Sequence, residues 1–108
     1  MNLEKFTIKA QEAINNAIDS MQRHGQQAIE PVHLLAGVLK AGENVTNYIF
    51  NKLGVNPDSI SRSVEAEISH LPRVTGGEPY LSSETNNILL KAEDMANRNG
   101  DEFIGLET

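Results

Sequence analysis

The stretch that decides the fold runs from Phe6 to Gly25 and reads FTIKAQEAINNAIDSMQRHG. Its apolar residues recur every three or four positions, as they do along one face of an α-helix. They are Phe6, Ala10, Ala13, Ile14, Ala17 and Met21. Thr7 is a residue type that caps helix N-termini, and Gly25 is a type that ends helices. The spacing therefore predicts an amphipathic helix between these two residues.

The same pattern returns later in the chain. Aligning Gly25 with Gly100 sets an offset of 75, superposes residues 6–29 on residues 81–104, and gives five identities in 24 positions. The identical pairs are Ala17/Ala92, Asp19/Asp94, Arg23/Arg98, Gly25/Gly100 and Ile29/Ile104. Thr7 falls on Ser82, so the cap is repeated too. We predict two related helical units: residues 1–75, and residues 76–108, which contain a linker loop and the start of the second unit.

Three further helices are predicted between these two segments. Pro31 and Pro57 suit first helical turns, where the missing N–H costs nothing. Gly42, Gly54 and Pro72 mark the helix ends. The apolar stripes contain Val32, Leu34, Leu35, Val38 and Leu39, then Val45, Tyr48, Ile49 and Leu53, then Ile60, Val64, Ile68 and Leu71. Residues 73–80 read as a loop, and no alternating run is long enough to predict a strand with confidence. The predicted class is all-α.

The second unit lacks a counterpart of the helix that follows Ile29 in the first. In the first unit, that helix is expected to cover the helix that begins near Phe6. The matching segment after Ile104 is not in the sequence. We therefore expect part of the second unit's apolar face to be exposed, self-associated or poorly ordered, and the chain to be a piece of a longer protein.

Composition excludes several classes of protein. With 108 residues, 39% of them hydrophobic and 22% charged, the chain is too apolar for intrinsic disorder. Its net charge of -6 disfavours nucleic acid, whose binding needs a basic footprint. The absence of cysteine excludes disulfides, thiol nucleophiles and sulfur-ligated zinc. No signal peptide core and no apolar run of ~20 residues is present, so we expect a cytoplasmic domain that engages no membrane.

Acidic residues are concentrated near the end of the chain. Residues 78–108 contain seven carboxylates against Lys91 and Arg98, whereas residues 1–77 are almost balanced. Two interpretations stay open: a solvated helix face, or an acidic patch that receives a basic or polar partner.

The residues that could carry chemistry favour a binding module over an enzyme. Gly37 and Gly42 have the glycine spacing of a phosphate-binding loop, but Glu43 and Asn44 stand where that loop needs Lys and Ser or Thr. The three histidines lack metal-site spacing and are expected to be structural, with His33 making one internal hydrogen bond. No catalytic carboxylate pair or nucleophilic triad is recognisable. No catalytic, metal or cofactor site is therefore predicted.

Five motifs, in order, resemble the double-repeat N-terminal domain of the Clp chaperone ATPases. They are FTIKAQEAI (residues 6–14), IEPVHLL (29–35), LGV (53–55), LPRVTG (71–76) and GDEFI (100–104). The motifs LPRVTG and IEPVHLL resemble those of the ClpB-type protein disaggregases more than those of the ClpA or ClpC type. ClpC-type domains carry a Thr-Glu-His motif in both repeats, and the glutamate of this motif helps to bind phosphorylated arginine. Here residues 31–33 are Pro-Val-His, and Thr108 replaces the second histidine, which counts against that activity.

The resemblance implies a module that engages unfolded or aggregated protein for threading by an AAA+ ring. The parent is expected to be a homohexamer that cooperates with a DnaK-type chaperone system and binds ATP and Mg²⁺ in later domains. By resemblance, Thr7, Asp101 and Glu107 engage substrate, although Thr7 also reads as an N-cap and Asp101 as a turn residue. Leu81, Leu89 and Phe103 are groove candidates, with burial in the core as the alternative. The alternative function is adaptor docking, as in ClpA/ClpC-type unfoldases associated with proteases.

Overall fold

The computed structural model describes residues 3–74 and 76–108, over which the chain forms five α-helices and two short parallel strands. The helices are α1 (Ile8–Arg23), α2 (Pro31–Ala41), α3 (Glu43–Lys52), α4 (Pro57–His70) and α5 (Ser83–Arg98). The strands are β1 (Ala28–Ile29) and β2 (Tyr80–Leu81), and a 3₁₀ turn at Leu3–Lys5 precedes α1. The predicted all-α class is confirmed. The strands escaped prediction because two residues cannot show an alternating pattern.

The ends of α1 and α5 are built alike. The Thr7 hydroxyl accepts a hydrogen bond from the Ala10 N–H at 3.1 Å, and the Ser82 hydroxyl accepts one from the Thr85 N–H at 3.1 Å. Gly25 and Gly100 follow the two helices with φ of 66° and 74°, a region in which L side chains are strained. The caps and stops therefore lie where the sequence predicts them.

Backbone pairing between the two units is reciprocal. The Thr7 N–H donates to the Ile104 carbonyl at 2.9 Å, and the Ser82 N–H donates to the Ile29 carbonyl at 3.1 Å. Since Thr7 corresponds to Ser82 and Ile29 to Ile104, each bond is the counterpart of the other. The bridge between Phe6 and Ile104 likewise matches that between Leu81 and Ile29. These reciprocal backbone hydrogen bonds and bridges are consistent with two units related by a pseudo-twofold axis. The predicted boundary, at residue 75, falls outside the described residues.

The core lies along α1. One cluster joins the start of α1 to α5 and the final segment through Phe6, Ala10, Ile14, Ala96 and Ile104, and a second contains Ala17, Met21 and Ile29. Helix α2 packs along α1, and α4 adds Val64 and Ile68 beside α2. Helix α3 contributes no buried residue. Its predicted apolar stripe faces outward, and Thr46 and Phe50 are the half-buried residues of this helix.

Candidate functional site

An apolar groove of about 290 Å³ lies between α1 and α2 on one side and α5 on the other. Residues 104–106 close one end, because the bond from Thr7 to Ile104 holds this segment against the start of α1. The other lining residues are Phe6, Ala10, Ala13, Ile14, Leu34, Val38, Ile88, Leu89, Lys91, Ala92, Met95 and Thr108. The groove therefore brings together the N-terminal halves of both units and the end of the chain.

Two residues of α5 show why this surface remains open. Ile88 and Met95 are 42% and 48% exposed, which confirms that part of the second unit's apolar face is uncovered. Their counterparts under the offset of 75 are Ala13 and Ser20 on α1, which are buried. In the first unit, α2 packs over α1. The described residues contain no helix in the corresponding place over α5.

The charge in the groove is cationic rather than acidic. Lys91 is the charged residue among those that line it within the described ranges. Asp101 is exposed and does not line the groove; its N–H donates to the Ala96 carbonyl at 2.9 Å, which makes it the turn residue after Gly100. Glu107 is exposed but folds back over Gly105, where an added Cβ would lie 2.5 Å from its Oε1. Neither of the two carboxylates expected by resemblance to engage substrate therefore lines the groove.

Thr7 lies next to the groove without lining it. Its hydroxyl caps α1, and its backbone N–H anchors the segment that closes the groove. The N-cap interpretation from the sequence is confirmed by this geometry. A role in contacting substrate stays a prediction.

The three apolar candidates have different surroundings. Leu89 is half-buried and lines the groove. Leu81 is half-buried against the second core cluster, and it shares a smaller cavity of about 130 Å³ with Leu89. Phe103 is 46% exposed and lines neither cavity, so it lies neither in the groove, where it was a candidate, nor in the core, which was the alternative. Its neighbour Ile104 pairs with Phe6 and points into the core, and consecutive side chains in an extended segment point to opposite faces.

Several groove residues were missed by the site prediction. The sequence predicts Leu34 and Val38 of α2 only as part of an apolar stripe, and Lys91 and Met95 of α5 are not among its candidate site residues. The sequence repeat could have indicated the two α5 residues. Lys91 and Met95 correspond to Asn16 and Ser20, which lie on the side of α1 that faces α2 and α4.

The histidines have structural surroundings. The Glu30 N–H donates to His33 Nδ1 at 2.9 Å, so the ring proton lies on Nε2 and is donated to Gln26 Oε1 at 2.7 Å. Gln26 in turn donates to the Ile68 carbonyl at 2.6 Å, which ties α2 to the end of α4. Burial lowers the pKa of His33, with a further lowering by His24, while Glu30 and Glu65 act in the opposite direction. His33 therefore makes two internal hydrogen bonds rather than the one expected.

Metal-binding and membrane-spanning features are absent from residues 3–74 and 76–108. No group of three or more histidine and acidic side chains is placed to hold a metal ion there. None of the described helices combines the length and the apolar character that crossing a bilayer requires.

Comparison with known sequences identifies close relatives. The Clp repeat (R) N-terminal domain family matches residues 5–108. The chain is 54% identical over 107 residues to the chaperone protein ClpB of Bacteroides thetaiotaomicron and 51% identical to that of Porphyromonas gingivalis. Each match covers 99% of this chain but 12% of the relative. The chain therefore spans about an eighth of the length of these ClpB proteins.

Solved structures show the same fold at low identity. The N-terminal domain of the ClpV1 ATPase from E. coli matches 94% of this chain with a TM-score of 0.83 at 24% identity. The Hsp104 N-terminal domain from Candida albicans matches 94% with a TM-score of 0.82 at 20% identity. This chain covers 63% and 68% of those two domains. On the family match, the chain belongs to the Clp repeat (R) N-terminal domain family, and its sequence is similar to part of two ClpB proteins.

Proposed function

We propose that the chain is the client-engaging part of the N-terminal domain of a ClpB-type disaggregase, and that the apolar groove contacts exposed hydrophobic segments of unfolded or aggregated protein. The observation that carries the proposal is the groove itself, with Ile88 and Met95 exposed beside buried core residues. A ClpB-type chaperone needs a surface that recognises apolar side chains and does not require the client to be folded. This groove offers one.

The expected affinity is weak. Burying ~400 Å² of apolar surface contributes about 10 kcal/mol before costs, at ~25 cal/mol/Å². Loss of translational freedom and ordering of the client offset most of this gain. We therefore expect dissociation constants that are roughly micromolar or poorer. Weak binding suits a module that passes its client to a pore.

The wider assignment rests on the resemblance. We propose that the parent protein is a cytoplasmic homohexamer that binds ATP and Mg²⁺ in later domains and cooperates with a DnaK-type chaperone system. Residues 1–108 would then hydrolyse no ATP by themselves. ATP hydrolysis by the purified chain would contradict this division of labour.

The test is a fluorescence anisotropy titration with a labelled, permanently unfolded polypeptide. Ile88→Glu places a carboxylate in the groove, whereas Ile49→Glu makes the same change on α3, outside it, at a similar exposure of 46%. We expect weak saturable binding to the wild type and to Ile49→Glu, and at least about tenfold weaker binding to Ile88→Glu. Equal loss in both variants, or none in either, would contradict a role for the groove.

Three further substitutions test the residues assigned by resemblance. We propose that Thr7, Asp101 and Glu107 contact the client, and that their substitution by Ala weakens binding. Thr7→Ser is the matched control, because it keeps the capping hydroxyl. Unchanged binding in Thr7→Ala and Asp101→Ala, with the fold intact by circular dichroism, would remove both from the site.

A longer chain distinguishes the remaining alternatives. If a later segment of the parent covers α5, the unfolded polypeptide will bind residues 1–108 but not the complete N-terminal domain. If the domain docks an adaptor instead, a single folded partner will bind one-to-one and tightly while unfolded polypeptide does not. Among the described residues, the apolar groove favours client binding.

A further inference from the structure

Helix α3 and the turn that follows it present an apolar surface to solvent. The exposed apolar residues of segment 43–56, which we call the α3 stripe, are Val45, Tyr48, Ile49, Leu53 and Val55, and they are between 37% and 70% exposed. No residue of α3 is buried, although its spacing is that of an amphipathic helix. Large contiguous apolar patches on soluble proteins mark interaction sites.

The α3 stripe is separate from the surface that the incomplete second unit leaves open. None of its residues lines the apolar groove. Helices α2 and α4, which contact α3, are both formed, so the stripe faces outward in a unit whose four predicted helices are all in place. Any occupant of the stripe therefore comes from outside the first unit.

The charges near the α3 stripe favour an uncharged, apolar partner surface. Segment 43–56 contains one acidic and one basic residue, Glu43 and Lys52, whereas the whole chain has a net charge of -6. Lys52 lies over the ring of Tyr48, with its Nζ 5.6 Å from the ring centre. A second copy of the chain presents a surface of this same character, and the like charges that oppose self-association are concentrated in residues 78–108.

The order of residues along the α3 stripe is self-complementary. Val45 and Leu53 each lie four positions from Ile49, so the three form one ridge along the helix. When two such ridges run antiparallel about a twofold axis through Ile49, this residue meets its own copy and Val45 meets Leu53 of the second copy. Lys52 then lies two positions, about 3 Å along the helix axis, from Tyr48 of the second copy, so each ammonium approaches two aromatic rings. The two Lys52 residues are six positions, about 9 Å, apart along the axis.

We propose that the α3 stripe is a homodimer interface, in which α3 of one copy packs antiparallel on α3 of a second copy about a twofold axis through Ile49. Burial of the stripe removes on the order of 500 Å² of apolar surface per copy from water, or ~1,000 Å² over the pair, which is at the lower limit for a specific interface. The dimer is therefore weak, with a dissociation constant of roughly 100 µM. It leaves the apolar groove open, because no residue of the stripe lines that groove.

Disulfide cross-linking tests the twofold geometry. The sequence contains no cysteine, so each single-cysteine variant reports on one position. Ile49→Cys should form a covalent dimer on mild oxidation, and Val45→Cys should cross-link to Leu53→Cys in a mixture faster than either variant cross-links to itself. Asn15→Cys, on the exposed side of α1, is the matched control and should cross-link only at the rate of random collision.

Sedimentation velocity of the 108-residue protein over a range of concentrations measures the association itself. We expect a reversible monomer–dimer equilibrium for the wild type. Ile49→Glu and Ile49→Lys should each dimerise at least about tenfold more weakly, because two like charges meet on the axis, whereas an equimolar mixture of the two variants should dimerise again. Ile88→Glu, at a similar exposure of 42% on α5, should dimerise as the wild type does.

Three outcomes would overturn the proposal. Sedimentation as a monomer at all concentrations up to ~1 mM means that the α3 stripe has a different occupant. Loss of the dimer in Ile88→Glu but not in Ile49→Glu means that two copies associate through the apolar groove. A mixture of Ile49→Glu and Ile49→Lys that stays monomeric means that residue 49 does not lie on the twofold axis.

Discussion

Gly37→Ala is expected to destabilise the fold although it replaces a poor helix former by the best one. Gly37 lies inside α2, where Ala is favoured over Gly by about 1 kcal/mol on propensity alone. The side of the residue that would carry the Cβ faces α1 directly. An added Cβ would lie 2.0 Å from the Ala13 carbonyl oxygen and 3.2 Å from the Ala17 backbone nitrogen.

The expected loss of stability follows from how far α1 and α2 must move apart. Contacts below 3.0 Å are essentially never seen for a real Cβ, so the Ala13 carbonyl and the new methyl must separate by at least 1.0 Å. Both partners are backbone, so no side chain can rotate away, and α1 and α2 must move apart along their length. Overpacking in a core typically costs 1–3 kcal/mol. Because backbone cannot yield, we expect a loss at the top of that range, about 3 kcal/mol net of propensity.

The assay is urea denaturation followed by circular dichroism at 222 nm. Gly42→Ala is the matched control, because its Cβ would meet a side-chain atom, Leu106 Cδ1, at 3.0 Å, and this atom can rotate. We expect the free energy of unfolding of this control to lie within about 0.5 kcal/mol of the wild-type value, as is usual for substitutions outside the core. If Gly37→Ala were as stable as the wild type, or more stable, the close approach of α1 and α2 would be refuted.

Three further predictions concern the core and the helix ends. The free energy of unfolding should fall as the pH drops below about 6.5, because the unfolded state then binds a proton that buried His33, with its lowered pKa, does not bind. A series of melting curves at different pH values checks this, and His33→Gln should flatten the pH dependence. Thr7→Ala and Ser82→Ala should each cost about 1 kcal/mol in urea denaturation, because each removes an equivalent N-cap. Met21→Ala should cost about 2–5 kcal/mol, whereas Met95→Ala should cost far less, because Met21 is fully buried and Met95 is 48% exposed.

The ends of the helices could be predicted because their signals are local. A hydroxyl at Thr7 or Ser82, and a glycine at Gly25 or Gly100, act within a few residues of their own position. The α3 stripe shows the limit of such reasoning. Val45, Tyr48 and Ile49 have helical spacing and form a helix, but periodicity does not reveal which side of the helix meets a partner. That depends on where α2 and α4 lie.

The site could be predicted only in part for the same reason. Leu89 was a groove candidate and lines the groove, whereas Asp101, which the resemblance assigns to substrate engagement, does not line it. Gly37 is the clearest case. Its spacing from Gly42 imitates a phosphate-binding loop in sequence, whereas in the structure the missing side chain admits the backbone of α1. A glycine needed for a ligand and one needed for a helix look alike until the neighbouring element is in place.

Two unlike cavities are lined by positions of α1 and α5 that correspond in the sequence alignment. Asn16 and Ser20 line a cavity of about 340 Å³ between α1, α2, α3 and α4, and their counterparts under the offset of 75, Lys91 and Met95, line the apolar groove. The two cavities therefore lie on equivalent faces of α1 and α5. In the first unit, the face carries a donor and a hydroxyl beneath α2; in the second, it carries a cation and a thioether with no helix over it among the described residues. Equivalent positions of α1 and α5 thus line a cavity in each case, and the residues at two of these positions make the two linings differ in polarity.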